Sequence, residues 1–150
     1  MGHAQSLDKV AMNPFIKNLL IRDEGLKLTA YKCTAGKVTI GVGRNLDDVG
    51  ISAEEADMLL QNDLQHIEAQ ALTFPWYVTL DAVRQAVILS LIFNLGLRGW
   101  QQFVNTIKLI ESGQYAKAAD ALMESKWAKQ VGQRANRLSE MMRAGVLVRR

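Results

Sequence analysis

Apolar residues recur at helical spacing at Phe15, Ile16, Leu19 and Leu20, which predicts one amphipathic helix near the start of the chain. Asn13-Pro14 reads as its N-cap followed by a first-turn proline, and Gly25, directly after Glu24, as its stop. From Leu28 to Gly43 the texture changes. Tyr31, Val38, Thr39, Ile40 and Val42 favour strand, and Ala35-Gly36 can turn the chain between two strands. Gly41 and Gly43 either weaken the second strand or let another backbone approach. Ser52-Ala-Glu-Glu55 has the form of a capping box. It opens a helix with apolar positions at Ala56, Leu59, Leu60, Leu64, Ile67 and Ala71, about 30 Å long if it runs for roughly 20 residues. Asp81 or Thr79 can cap a strongly apolar segment from Ala82 to Leu95. Its apolar residues cover nearly every face, which predicts a buried central helix ended by Gly96. Further helices are expected over Asn105–Ser112, Tyr115–Glu124 and Gln133–Ala144.

This pattern predicts an α+β fold with segregated elements. A small N-terminal lobe with a β-hairpin covers about 14–52, a linker helix about 52–72 and an all-helical lobe about 73–150. The first helix is free to join the helical lobe. The 150 residues suit one such domain, and 49% hydrophobic against 22% charged residues argues against disorder. One cysteine excludes an internal disulfide framework. No apolar run is long enough to span a membrane, and the first ten residues lack the basic and apolar regions of a secretory signal. Charge is uneven. Residues 1–75 carry seven basic and ten acidic side chains, whereas residues 76–150 carry eleven and five. A basic half suits an anionic polymer, although a solvated basic helix face gives the same count.

Few residues offer chemistry. Glu24 ends the first helix, where the partial negative charge of the dipole disfavours an ionised carboxylate and so suits a general acid. A carboxylate at a helix end is more often simply solvated. Cys33 and Thr39 lie in the hairpin, which can fold all three into one cleft. A lone cysteine is more often a small core residue, and a strand threonine a β-former. His3 lies near the terminus, and His66 reads as a surface residue of the linker helix. No metal-ligand spacing and no phosphate-binding glycine loop occurs, so neither metal nor cofactor is expected. Trp76, Trp100 and Trp127 can stack on sugars but more commonly anchor a core.

The stretch from Arg22 to Gly43 resembles the active-site signature of the phage-type lysozymes, the endolysins of glycoside hydrolase family 24. Eight residues separate Glu24 from Cys33, and five separate Cys33 from Thr39, as in the family's pattern of Glu, Asp or Cys, and Thr. The resemblance continues through Leu80-Asp-Ala-Val-Arg-Gln85, Phe93-Asn-Leu-Gly96, Phe103-Val-Asn-Thr106, Ser125-Lys-Trp127 and Gln133-Arg-Ala-Asn-Arg137, covering most of residues 15–145. It implies a lysozyme-like fold with a cleft between lobes. The implied activity is hydrolysis of the β-1,4 bond between N-acetylmuramic acid and N-acetylglucosamine in bacterial peptidoglycan. It makes Glu24 the general acid, gives Thr39 the attacking water or a sugar contact, and pairs Arg134 with the catalytic glutamate. Ser90, Asn94, Phe103, Asn105 and Gln130 fall where relatives line the cleft. It further implies a monomer held in the host cytoplasm, with no membrane insertion, that reaches the periplasmic wall through a holin-type permeabiliser.

Three departures stand out. Cys33 replaces the aspartate of the best-known members, Arg44 replaces a histidine, and the short segment after the hairpin predicts less sheet. An inverting glycosidase wants a carboxylate base, so Cys33 acts as thiolate base, as nucleophile or only as electrostatic support. The alternatives are a lytic transglycosylase, which needs one acid/base residue, a non-catalytic peptidoglycan-binding protein on this scaffold, and a helical nucleic-acid binder. The last leaves the hairpin motif without a role, so no nucleic-acid partner is expected.

Overall fold

The computed structural model describes residues 12–148; the expectation for His3 lies outside them. The fold is α+β. Its order is α1 (Ile16–Glu24), β1 (Lys27–Lys32), β2 (Val38–Gly41), β3 (Arg44–Asn45), α2 (Ala53–Ala71), a 3₁₀ turn (Tyr77–Thr79), α3 (Ala82–Gln101), α4 (Val104–Glu111), α5 (Tyr115–Met123), α6 (Lys126–Val131) and α7 (Gln133–Ala144). The chain divides into two compact units between Leu60 and Gln61, inside α2. No described helix is long and apolar enough to cross a membrane.

In the first unit α1 begins two residues later than its proline suggested. Asn13 Oδ1 accepts the Phe15 amide at 2.9 Å, so asparagine caps the turn carrying Pro14 rather than the helix itself. Gly25 ends α1 at φ 80°, its amide donating to Ile21 O. The apolar stripe of α1 is not buried: Phe15 is 76% exposed. Strands β1, β2 and β3 form an antiparallel sheet in that order. The expected hairpin is there, closed by Cys33 N–H to Lys37 O (2.9 Å) and Gly36 N–H to Cys33 O (2.8 Å). Gly36 adopts φ 77°, which the return from this three-residue loop requires. The third strand was not expected. Gly41 and Gly43, both at positive φ, fold the chain back within a single turn, so they build a turn where sequence alone showed a weakened strand.

No apolar residue of this unit is buried among the described residues; its one buried side chain is Thr39. Polar contacts take over. Ser52 N–H donates to Glu55 Oε1 (2.9 Å) and Glu55 N–H to Ser52 Oγ (3.1 Å), completing the capping box. Arg44 Nη1 donates to the same Glu55 oxygen (3.0 Å) and to Gly50 O (3.1 Å), tying β3 to the start of α2.

The second unit holds the hydrophobic core. Val87, Ile88, Leu91, Ile92 and Trp100 of α3 pack with Ile110, Leu122, Trp127, Leu138 and Met142. All three tryptophans are buried, as core anchors are. The expected central helix is present, but Phe93 is half exposed, so one face meets solvent. Gly96 breaks it (φ 75°, ψ 163°), and a further helical turn follows rather than a loop. Asp81 caps it, accepting the Arg84 amide. Helices α4 and α5 lie within a residue of expectation and α7 matches it. Helix α6 was missed: a six-residue helix shows little periodicity, and its signal is the Ser125 cap, whose Oγ accepts Ala128 N–H.

Arg84 joins the start of α3 to the end of α7. Its Nε donates to Met142 O (2.6 Å) and its Nη2 to Arg143 O (2.8 Å), two carbonyls that the helix leaves without internal partners. Nη1 meets Asp81 Oδ1 at 3.0 Å, and the guanidinium stacks 4.0 Å from the Tyr115 ring centre. Gly145 has φ 67°, and a methyl there would stand 2.8 Å from Arg84 Nη1.

Two predictions follow from these contacts. Arg84→Met removes charged donors from buried carbonyls and should destabilise the helical unit by about 3 kcal/mol, read by urea unfolding. Gly145→Ala should cost about 1 kcal/mol or more, from backbone strain and the lost space. A further prediction concerns Glu55, whose carboxyl is pulled down to about 2. The main cause is the Arg44 bond, followed by the Ser52 amide, with partial burial opposing both. A carboxylate depressed in the folded state stabilises fully above its unfolded value and loses that contribution as pH falls through its folded one. The Arg44–Glu55 tie should therefore be intact at neutral pH and weaken only as pH approaches 2. In Arg44→Met, carboxyl NMR should find Glu55 titrating at higher pH, yet still below an ordinary glutamate because the Ser52 bonds remain.

Candidate active site

The sequence candidates fall into two groups, one in each unit. In the first unit Glu24 is the last residue of α1, exposed, directly before the Gly25 stop. Its carboxylate reaches the β2–β3 turn: a methyl on Gly43 would stand 3.5 Å from Glu24 Oε2. A methyl at that distance would make only ordinary contact, so it is the φ of 73° that calls for glycine at this position. What comes near Gly43 is this side chain, not the second backbone that the sequence reading allowed for.

Cys33 and Thr39 come together at the other end of β2. The register pairs Tyr31 with Thr39 and Thr39 with Asn45, so by the two-residue period of a strand Tyr31, Cys33, Thr39 and Asn45 share one face. Cys33 is half-buried. Its thiol ionises more readily than a free cysteine's. The Lys37 amide contributes most, then the Ala35 amide, partial burial opposes them, and the Thr39 hydroxyl and the cysteine's own amide add to the effect. The turn therefore folds a nest of N–H groups around the sulfur, which favours an anion. Thr39, 3% exposed, donates its hydroxyl proton to Lys37 O at 2.9 Å. With one proton to give, it serves the carbonyl while the thiol is neutral and can turn to the sulfur once that ionises.

In the helical unit Arg134 Nη2 donates to Ser90 Oγ at 3.1 Å, so α7 and α3 fix that pair. Asn94 is exposed and accepts the Trp127 indole N–H at 2.6 Å. Phe103, Asn105 and Gln130 line a groove of 660 Å³, together with Trp127, Glu124 and Lys126. The structure thus brings three of the six residues into one groove, hydrogen-bonds Asn94 to a fourth wall of it, and sets Ser90 and Arg134 together as a pair outside its lining. Trp127 was read as a core anchor, and it is one, but its indole edge also orients Asn94. Glu124 and Lys126 carried no sequence signal beyond their nearness to the Ser125-Lys-Trp127 motif. Among the described residues no three His, Cys, Asp or Glu side chains cluster as metal ligands.

Comparison with known proteins places this geometry in context. Residues 22–145 match the family model described as phage lysozyme. The chain is 30% identical over 162 aligned residues to the probable T4-type lysozyme 1 of Dictyostelium discoideum, spanning 88% of this chain and 95% of that one. It is 35% identical over 115 residues to the endolysin of Acyrthosiphon pisum secondary endosymbiont phage 1, spanning 74% and 75% of the two chains. It is 32% identical over 112 residues to the endolysin of Salmonella phage P22, spanning 69% and 75%.

Proposed function

The chain belongs to the phage lysozyme family and is a glycoside hydrolase of the lysozyme type, and on that premise we propose that it hydrolyses the β-1,4 bond between N-acetylmuramic acid and N-acetylglucosamine of bacterial peptidoglycan. Its biological role in this reading is host-cell lysis as an endolysin. It acts as a monomer that waits in the host cytoplasm and reaches the periplasmic wall once a holin-type protein permeabilises the membrane.

The observation that carries the reading is the arrangement around β2. Cys33 opens the β1–β2 turn beside Thr39 of β2, and the carboxylate that begins the motif lies against the glycine turn at the strand's far end. Glu24 donates a proton to the leaving glycosidic oxygen as the bond to the anomeric carbon breaks. The Cys33 thiolate takes a proton from water, whose oxygen forms the new bond, and Thr39 orients that water. A thiol can stand in for the aspartate of other members because the N–H nest favours its ionised form. Phe103, Asn105 and Gln130 contact sugar in their groove, with Ser90, Asn94 and Arg134 as further substrate contacts on the same unit.

The deciding experiment is digestion of purified peptidoglycan followed by mass analysis. Reducing ends on the released muropeptides are expected. Anhydro-muramic ends would instead mean transglycosylation, in which the sugar's own 6-hydroxyl attacks, and binding without release would mean a non-catalytic protein. Glu24→Gln keeps shape but cannot donate a proton and should lose roughly 10²–10⁴-fold in rate. Wild-type activity should climb with pH as the thiol ionises, along a limb lying below the roughly 8.5 of a free cysteine. Cys33→Ser should be far weaker, and Cys33→Asp should keep activity with that limb gone. A serine variant matching wild type across pH would remove the thiol from the reaction.

A further inference from the structure

We infer that Asp47 is a positioning residue for the Cys33–Thr39 pair, acting through the one peptide group that joins Lys37 to Val38; the catalytic part of this rests on the reading of that pair given above. Asp47 Oδ2 accepts the Val38 N–H at 2.8 Å. The carbonyl of the same peptide, Lys37 O, accepts Cys33 N–H at 2.9 Å and the Thr39 hydroxyl at 2.9 Å. One peptide plane is therefore held at its N–H by a carboxylate and at its C=O by the two residues of the motif. An acceptor on the N–H of an amide fixes its plane and makes its carbonyl a stronger acceptor, whether or not the acceptor is charged. The Thr39 hydroxyl is thereby held at Lys37 O, beside the sulfur, while the thiol is neutral, and from that place it can turn to the sulfur once the thiol ionises.

The sheet explains why a side chain is needed there. With Thr39 opposite Asn45 and Ile40 opposite Arg44, Val38 falls opposite Leu46. Leu46 N–H does reach Val38 O at 2.7 Å, but the return bond goes to Asp47 Oδ2 in place of the Leu46 carbonyl. Asp47 thus extends the ladder one step past the end of β3, at the step that carries the catalytic turn. Its neighbour cannot substitute. Asp48 is engaged with Lys37 Nζ (3.2 Å) and Asn45 Nδ2 (2.9 Å), and its own amide donates to Asn45 Oδ1 (3.0 Å). Lys37, Asp47 and Asp48 are the charged side chains that these bonds bring to this end of the sheet.

Asp47→Ala and Asp47→Asn separate orientation from charge. Asparagine keeps an acceptor for Val38 N–H and loses only the charge, whereas alanine loses both. Two readouts apply to the intact protein: the pH dependence of Cys33 alkylation by iodoacetamide, and kcat and KM on soluble peptidoglycan fragments. Alanine should move the alkylation midpoint up by about half a unit or more, as the N–H nest loosens, and lower kcat about tenfold with KM within about twofold. Asparagine should restore both most of the way. An alanine variant with the wild-type midpoint and kcat, even one that melts earlier, overturns the proposal and leaves Asp47 as a stabilising staple only. An asparagine variant as impaired as alanine overturns it too. Should the alanine variant not fold, hydrogen exchange in the wild type decides: the Val38 amide must be protected as well as the Leu46 amide, and rapid exchange at Val38 overturns the proposal. Should the wild type release no wall fragments, the functional reading fails, while alkylation and exchange still decide whether Asp47 orders the turn.

Discussion

Among its described residues the first unit buries one side chain, Thr39, and no apolar one. A three-stranded sheet with strands of six, four and two residues cannot hold itself by burial. Directional bonds take its place, and two sets of them lie next to the motif residues. Arg44 ties β3 to Glu55 and Gly50, which holds the Gly41–Gly43 turn beside Glu24. Asp47 closes the ladder at Val38, which holds the turn bearing Cys33 and Thr39.

The helical unit follows a different rule. Its core residues are buried together, and Ser139 donates to Ala119 O across α7 and α5 while Arg84 closes the end of α7. Burial of this kind makes a rigid wall, and the residues that resemble a sugar-binding set sit on that wall or are braced by it. Asn94 is held by Trp127 and Ser90 by Arg134. Precision in this unit comes from packing, and in the other from hydrogen bonds.

The cysteine shows how local structure changes the meaning of a substitution. A thiol in place of a carboxylate loses a charge at neutral pH unless its surroundings restore it. Here the amides of Lys37 and Ala35, folded toward the sulfur by the Gly36 turn, favour the thiolate. The same five-residue turn therefore makes the hairpin, places Thr39 beside the sulfur and tunes the sulfur itself.

Sequence by itself determined what depends on neighbours along the chain. The Ser52–Glu55 capping box, the Gly25 stop, a break at Gly96, the Ala35-Gly36 turn, a cap at Asp81 or Thr79 and the bounds of α7 were legible because caps, turns and amphipathic faces are local chemistry, complete within a few residues. The spacing of Glu24, Cys33 and Thr39 was legible as a motif. Tertiary structure alone decided the rest. A two-residue strand such as β3 has no periodicity, and it exists because β2 offers it partners. The Arg84 clamp on carbonyls nearly sixty positions away and the Trp127 bond to Asn94 join positions too far apart for any pattern to show. Asp47 and Asp48 are identical letters in sequence, and only the end of β3 gives one to the Val38 amide and the other to Lys37 and Asn45. A hydrogen bond is chosen by which donor lies within three ångströms of which acceptor, and that distance is not defined until the chain has folded.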